Sequence, residues 1–563
     1  MFGELTIAGN ILQSALDRYL DACSALQSHC HENSPTATDS DRISDELNLL
    51  RTMASKLHLA KVSIKCSRNS CPYSVPINRI PLEIMLHILS LAIVSGHETC
   101  QSHKRPYCFQ RIHQQPITFA SVCVRWRKLV LQYPALWSRI DLVHTNNDPK
   151  RVPLAKICAE RADVYPLDIR VAATSSAYHT RSSSTDFLSS TPSRSLKSLS
   201  FILSDTRNDQ DRPMFCKYLS NWALGTLQKL VIEKDQTSSG PSRLIIAIRE
   251  IQPQPPQNYL LIDLPYNYLE ALWRPIKILR LYGMYIDWGS QAYHGLVELC
   301  LSFNQESRES IIPPTISESQ LKAILISSPG LRIFRFGIIV LPDPRPVRRG
   351  RKKIVPVQLD DLQILDLCLG NRTEDSLSYI LCVISPGSKP LKLLLPRIRG
   401  TISGTDLVAR NRREIENFLM RANVTELFVF VRTLSPNWLL NLAPNLRVLC
   451  IWFNCSQSLL HADQDEVDPP IPVGTIDRVY IRYSGSNLRI EELCQWLSRL
   501  PPIQMLVLWK SVFELKACTI SSKELLELPQ LLNLCPNIKY LSSSESDGFT
   551  FKSEWVPSYG HNY

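Results

Sequence analysis

Apolar residues recur along this chain in two rhythms, a helical one before Trp137 and a strand-like one after it. The second rhythm is apolar-x-x-apolar-x-apolar. Its units are Trp137/Ile140/Leu142, Pro166/Ile169/Val171, Leu196/Leu199/Phe201, Leu227/Leu230/Ile232, Ile276/Leu279/Leu281 and Leu296/Leu299/Leu301. They continue as Leu331/Phe334/Phe336, Leu362/Leu365/Leu367, Val424/Leu427/Val429, Leu446/Leu449/Ile451, Ile476/Val479/Ile481, Ile503/Leu506/Leu508 and a weaker Ile538/Leu541. Two wide gaps have room for one more unit each, at Leu391 and at Tyr259–Leu264. Several units follow a helical stretch and a Pro, Gly or Asn turn, as in "SESQLKAILISSPGLRIF" and "IEELCQWLSRLPPIQMLVLW". Helix, turn and short strand in repetition predict stacked crossover units, hence an α/β fold with a parallel sheet.

Before Trp137 the spacing predicts helices. Ile11, Leu12, Ala15, Leu16, Tyr19, Leu20 and Cys23 share one face, and Ile43, Leu47, Leu50 and Leu57 follow near-heptad spacing, with Ser40 or Asp41 as the expected cap. These two helices read either as a hairpin packed on the next domain or as a short coiled coil. Residues 66–78 read as a Pro-punctuated linker. Two further apolar blocks follow, Ile80–Leu89 and Phe119–Leu142, separated by a polar insert at 95–115. Each block is apolar on more than one side. Ile84, Met85, Ile88, Leu89 and Ala92 form one stripe of the first, and Phe119, Val122, Cys123, Trp126 and Val130 one stripe of the second. Arg125, Arg127 and Lys128 are expected late in that helix, where cations suit the dipole. So small a segment cannot bury that much apolar surface alone, which implies a partner.

Composition narrows the class. The 563 residues carry a net charge of +11, spread rather than striped, so nucleic acid is not demanded. The 17 cysteines include no CxxC pair, and Cys123, Cys300, Cys368 and Cys450 sit in apolar runs, as buried free thiols do in a reducing compartment. The N-terminus lacks the basic and apolar regions of a signal peptide, and no apolar stretch is long enough to span a bilayer. A cytoplasmic or nuclear location is therefore expected. His97, Cys100, His103, Cys108 and His113 cluster in the insert without the close pairs of a structural zinc site, and no metal or cofactor is expected. "VRRGRKK" at 347–353 reads as a solvated basic loop or an import signal. Nucleotide-binding loops, nucleophile elbows and metalloprotease motifs are absent, so the chain is not expected to be an enzyme.

Three separated pieces occur in order: Ile80-Pro81-Leu82-Glu83-Ile84, Val122-Cys123-Val124-Arg125-Trp126 and Pro134-Ala135-Leu136-Trp137. Together they resemble an F-box, with Ile80 in place of the usual Leu and a long insert as departures. The repeats resemble an irregular leucine-rich-repeat horseshoe, and the whole layout is similar to fungal F-box/leucine-rich-repeat proteins. The resemblance implies an N-terminal helical segment (1–65), a small all-α F-box (79–137), a solenoid (138–545) and a tail (546–563). It also implies a Skp-type adaptor, with cullin and RING subunits beyond it, docking on Ile80, Pro81, Ile84, Ile88, Val122 and Cys123. Trp126, Leu136 and Trp137 would be internal anchors. Trp137 would both end the F-box and begin the first triad, leaving no flexible linker.

In such a solenoid the residues between the last two triad members, and the residue that follows the last, face away from the core. Arg280, Arg335, Phe428, Phe430, Trp452, Tyr480, Arg482 and Trp509 occupy those positions, and aromatics with Arg suit a protein-substrate patch unless loops such as 461–472 cover them. The expected role is substrate receptor of an SCF-type ubiquitin ligase. The alternatives are a repeat scaffold without a ligase role and, on weaker grounds, a basic nucleic-acid binder.

Overall fold

The computed structural model describes residues 2–32, 36–71, 73, 76–98, 115–144, 151–173, 195–203, 211–220, 222–234, 243–248, 259–303, 314–343, 355–367, 374–395, 405–431, 440–453, 474–483, 488–509, 513–515, 518–520 and 528–541. Most of the insert, the Ser-rich segment 182–194, the basic loop, the acidic loop 461–472, Cys368 and the C-terminal tail lie outside them. The chain divides into two units, Met1–Ile88 with Phe119–Leu129, and Leu89–Thr118 with Val130–Tyr563.

The second unit is mixed α/β, built on an open 14-stranded sheet. Its strands are β1 (Arg139–His144), β2 (Leu167–Ala173), β3 (Leu196–Leu203), β4 (Lys229–Lys234), β5 (Ile278–Tyr282), β6 (Glu298–Ser302) and β7 (Ile333–Gly337). They continue as β8 (Ile364–Leu367), β9 (Leu391–Leu394), β10 (Val424–Val431), β11 (Val448–Phe453), β12 (Ile476–Tyr483), β13 (Ile503–Trp509) and β14 (Ile538–Leu541). They lie side by side in chain order, and every pair is parallel.

The register aligns the triads. Leu142, Val171, Phe201, Ile232, Leu281, Leu301, Phe336 and Leu367 fall on one rung, and Val429, Ile451, Ile481 and Leu508 on its continuation. These residues are buried, as are the leading members from Leu196 to Ile503. Burying each such side chain contributes about 1.5–3 kcal/mol, so the ladder of triads is the main core.

Three units differ from the sequence reading. Opposite Leu196 stands Leu167, not Pro166, which is only half-buried. The ninth unit is Leu391/Leu393/Leu395, spaced by twos. Both of these meet a neighbour spaced by threes, and the register shifts there, at Leu167/Asp168 and at Leu391/Lys392. In the last unit Ile538 and Tyr540 pair with Leu506 and Leu508, so Cys535, fully buried, leads it and Leu541 falls on the other face. The unit expected at Tyr259–Leu264 is also displaced. Strand Tyr259–Pro265 pairs with Arg243–Ile248 in a separate three-stranded sheet, and β4 pairs directly with β5.

Local signals place the helices between strands. The helix Glu318–Ile326 opens on a reciprocal cap between Ser317 and Gln320, then turns through Ser327–Gly330 into β7.

The first unit opens with two long helices, α1 (Phe2–Glu32) and α2 (Ala37–Ser70). The cap of α2 is Thr36, earlier than the expected Ser40 or Asp41, and Asp39 returns the bond. The helix runs five residues into the expected linker and stops at Cys71, because Pro72 disfavours helical backbone before it. Tyr19 donates to the Glu46 carboxylate at 2.8 Å. The Thr36 hydroxyl holds the Asp39 carboxyl below its usual range, with His29 of α1 adding to the pull. Contacts that descend α1 while they climb α2 define an antiparallel hairpin.

Gly387 checks the packing of a satellite strand pair. A Cβ there would lie 2.8 Å from the Asp360 backbone, whereas one at Gly330 would meet nothing within 4 Å. Gly387→Ala is expected to cost about 1–3 kcal/mol and Gly330→Ala little. Equal melting temperatures for the two variants would contradict this packing.

Candidate functional sites: an apolar docking segment and the open face of the sheet

Helix α3 (Leu82–Glu98) begins one residue after Pro81, whose carbonyl accepts from the Met85 amide at 3.0 Å. Proline suits this place because its missing N–H would have no helical partner. The helix absorbs residues 95–98, which the sequence reading assigned to the insert, and it carries His97. Met85, Leu89 and Ile93 are its buried line. Ile84 and Ile88, one turn apart, are 53% and 43% exposed.

The second block is two helices, α4 (Gln115–Val122) and α5 (Val124–Gln132), with Cys123 between them. Cys123 caps α5. Its carbonyl accepts from the Arg127 amide at 2.9 Å, and its sulfur accepts from the Trp126 amide at 3.5 Å. The break moves Arg125 and Arg127 from the end of a helix to the start of one, so the dipole reading fails. They act instead as carbonyl ligands. Arg127 Nε donates to the Ala120 carbonyl at 2.9 Å, and Arg125 Nη1 to the Asn78 carbonyl at 2.6 Å. The latter bond spans 47 residues and brings the Val122–Trp126 segment beside the start of the Ile80–Ile84 segment. Asn78 is itself buried, and its amide binds the Asn69 carbonyl at the end of α2.

Around that clamp Pro81 is exposed, Ile80 and Cys123 are half-buried, and Val122 is 57% exposed. Leu82 and Val124, absent from the expected set, are exposed too. Their apolar character at a motif edge was the available signal. Trp126 is half-buried rather than a core anchor, set edge-to-face against Phe119 at 6.2 Å. Leu136 and Trp137 are buried as expected. Trp137 Nε1 donates to the Val130 carbonyl at 2.7 Å, and the Arg161 guanidinium lies 4.6 Å from its ring centre. Only Trp137 and Ser138 separate the 3-10 turn Pro134–Leu136 from β1.

The sheet face opposite the triads has two characters. Across β1–β8 it is ionic. Arg139 meets Asp168 at 3.2 Å, Arg280 grips Glu298 through two bonds of 2.7 and 3.1 Å, and Arg335 lies 3.9 Å from Asp366. The expected contact residue Arg280 thus already holds an internal carboxylate, and Arg335 lies near one without a hydrogen bond to it. Burial raises the Asp141 carboxyl to about 6, against the pull of Arg170.

Across β9–β13 the same face carries an apolar rung, beside the Lys392–Glu426 pair at 3.7 Å on the rung before it. Leu394, Phe428, Cys450, Tyr480 and Val507 stand on one rung and form a buried cluster, with Trp452 and Met505 packed on it. Phe428 and Tyr480, expected as contact residues, are 6% and 7% exposed and support this cluster rather than a surface. Trp452 and Arg482 remain half-buried, with the guanidinium 3.7 Å from the indole centre. Burial lowers the Arg482 guanidinium to about 10. Phe430 and Trp509 extend the outer rung as the register partners of Trp452 and Arg482.

Among the described residues no group of three or more His, Cys, Asp and Glu is placed to hold a metal, and no helix is long and apolar enough to cross a membrane. No known family model matches the chain, and no match to a curated protein was found.

Asp141 gives the sheet a pH signature. Its carboxyl titrates near 3.8 unfolded and near 6 in the fold, so the stability it contributes is present below about pH 4 and lost as the pH rises through 6. The unaltered chain is expected to lose roughly 3 kcal/mol relative to Asp141→Asn over that range. Urea midpoints for the two chains that run parallel from pH 4 to pH 7 would contradict the assignment.

Proposed function

We propose that this chain is the substrate-recognition subunit of an SCF-type ubiquitin ligase, its first unit docking a Skp-type adaptor and its sheet unit a protein substrate. The observation that carries the reading is the exposure of Ile84, Ile88, Val122 and Val124 around the Arg125–Asn78 clamp, while Met85 and Leu129 nearby in sequence are buried. Apolar side chains exposed together beside a fixed clamp suit a helix-in-groove partner. These four side chains are each about half exposed, so removing them from water is worth about 3–6 kcal/mol in all, and exposed neighbours such as Leu82 and Leu91 would share the contact.

The resemblance of the three motif pieces to an F-box supports a Skp-type adaptor as that partner. The repeated helix–strand units then read as the recognition arc of a leucine-rich-repeat-like receptor. Trp452 with Arg482, resting on the buried Phe428–Tyr480 cluster, supplies a rigid aromatic and cationic patch of the kind that anchors protein partners. The chain would do no chemistry itself. It would raise the effective concentration of a substrate lysine near a charged conjugating enzyme.

Purified adaptor should bind the intact chain, and Ile84→Lys with Val122→Lys should weaken capture at least about 100-fold with unchanged circular dichroism, since both residues are exposed. Capture by the double variant equal to that of the parent would leave a repeat scaffold without a ligase role. Trp452→Ala with Arg482→Ala should keep adaptor capture. It should also let the same proteins accumulate in cells as deletion of the chain does. Normal turnover of those proteins in cells carrying the variant would remove the patch from the reading.

A further inference from the structure

The α1–α2 hairpin leaves its own seam uncovered. Apolar residues of α1 recur as Leu5, Leu12, Tyr19 and Leu26, at intervals of seven in line with the Tyr19–Glu46 bond. Those of α2 recur as Ile43, Leu50, Leu57 and Ile64, also at intervals of seven. Sustained heptads are the pattern of a helical bundle. Yet no residue of α1 is buried, and Leu12, Leu26, Leu50 and Leu57 each expose more than a third of their surface. Two helices cannot enclose a seam between them. Four can, which is why hairpins with heptad apolar faces pair.

The charge along α2 selects the occupant. Its first third carries Asp39, Asp41, Asp45 and Glu46 against Arg42 alone. From Leu50 to its end every charged residue is basic: Arg51, Lys56, Lys61, Lys65 and Arg68. A helix acidic at one end and basic at the other is complementary to itself when antiparallel. One centre, between Met53 and Ala54, aligns the apolar heptads and two opposite-charge pairs, and leaves Arg51 level with the partner's Lys56 and Arg42 level with the partner's Lys65 on the outer flanks. It sets Leu50 against the partner's Leu57 and Ile43 against the partner's Ile64. It also sets Glu46 against the partner's Lys61 and Asp39 against the partner's Arg68. A hairpin of these lengths offers a face about 50 Å long and about 20 Å wide, roughly 1,000 Å² per copy. That exceeds what a specific interface needs.

We infer that the hairpin is a homodimerisation module, in which two copies of this chain close an antiparallel four-helix bundle with α2 against α2. The module rests on α1 and α2 alone and stands whether or not the adaptor reading does. A receptor built on it would present two docking segments and two sheet faces per particle.

The test uses the full chain in sedimentation and light scattering. The parent should be a dimer. Leu50→Glu with Leu57→Glu should be a monomer with unchanged helical content. Two charge-reversed chains make the orientation falsifiable without touching the apolar seam. Lys61→Glu and Glu46→Lys should each keep the parent's helical content and self-associate about tenfold more weakly than the parent. Mixed together, the two should pair with each other, because each reversed charge then meets its complement. A parent chain monomeric at tens of micromolar would mean that a different protein covers the seam, and would overturn the inference. Dimers that survive the leucine changes would overturn it as well. Charge variants that self-pair like the parent would overturn the antiparallel α2 contact.

Discussion

The second unit depends on one constraint, the in-register parallel ladder. In a strand successive side chains point to opposite faces, so a slip of one residue would carry every triad out of the core. Fourteen strands hold that register with a buried apolar residue at or just before the start of each, such as Leu196, Leu227, Ile276 and Leu331. The two register shifts fall where a unit spaced by twos meets one spaced by threes. The shift reconciles the two spacings locally and leaves the rungs beyond it aligned.

The same alternation determines the opposite face, where the chain solves two different problems. In the first strands charged residues occur in complementary neighbours, so arginines such as Arg280 are held by carboxylates on the next strand. In the later strands apolar and aromatic residues align into a second cluster. Arg482, on β12, is partly desolvated beside that cluster and laid over an indole. The early strands set their charges beside opposite charges on neighbouring strands, while the later strands lay a guanidinium over an aromatic ring.

Triads were legible in the sequence because period and burial coincide: Leu299, Phe334 and Leu506 needed only their spacing to be placed. What was not legible followed from contacts between distant segments. Phe428 and Tyr480 have the composition of contact residues, but their neighbours on adjacent strands bury them. Tyr259–Leu264 has the residues of a strand, yet nothing local says which sheet it joins. Cys535 was missed as a triad leader because a thiol does not stand out as a core residue. In the docking segment the order of the three pieces was legible. Which apolar line of α3 turns inward was not, since Ile84 and Met85 are equally apolar. Arg125 looked like a dipole partner until the break at Cys123 made it a first-turn residue that reaches back to Asn78.

That reach has an evolutionary consequence. Because the guanidinium of Arg125 ties the two motif segments directly, the chain joining α3 to α4 is a closed loop whose length enters the folding free energy only logarithmically. Doubling it costs about 0.6 kcal/mol. A change in the length of that connection is therefore cheap, while the Arg125–Asn78 bond keeps the clamped segments on either side together.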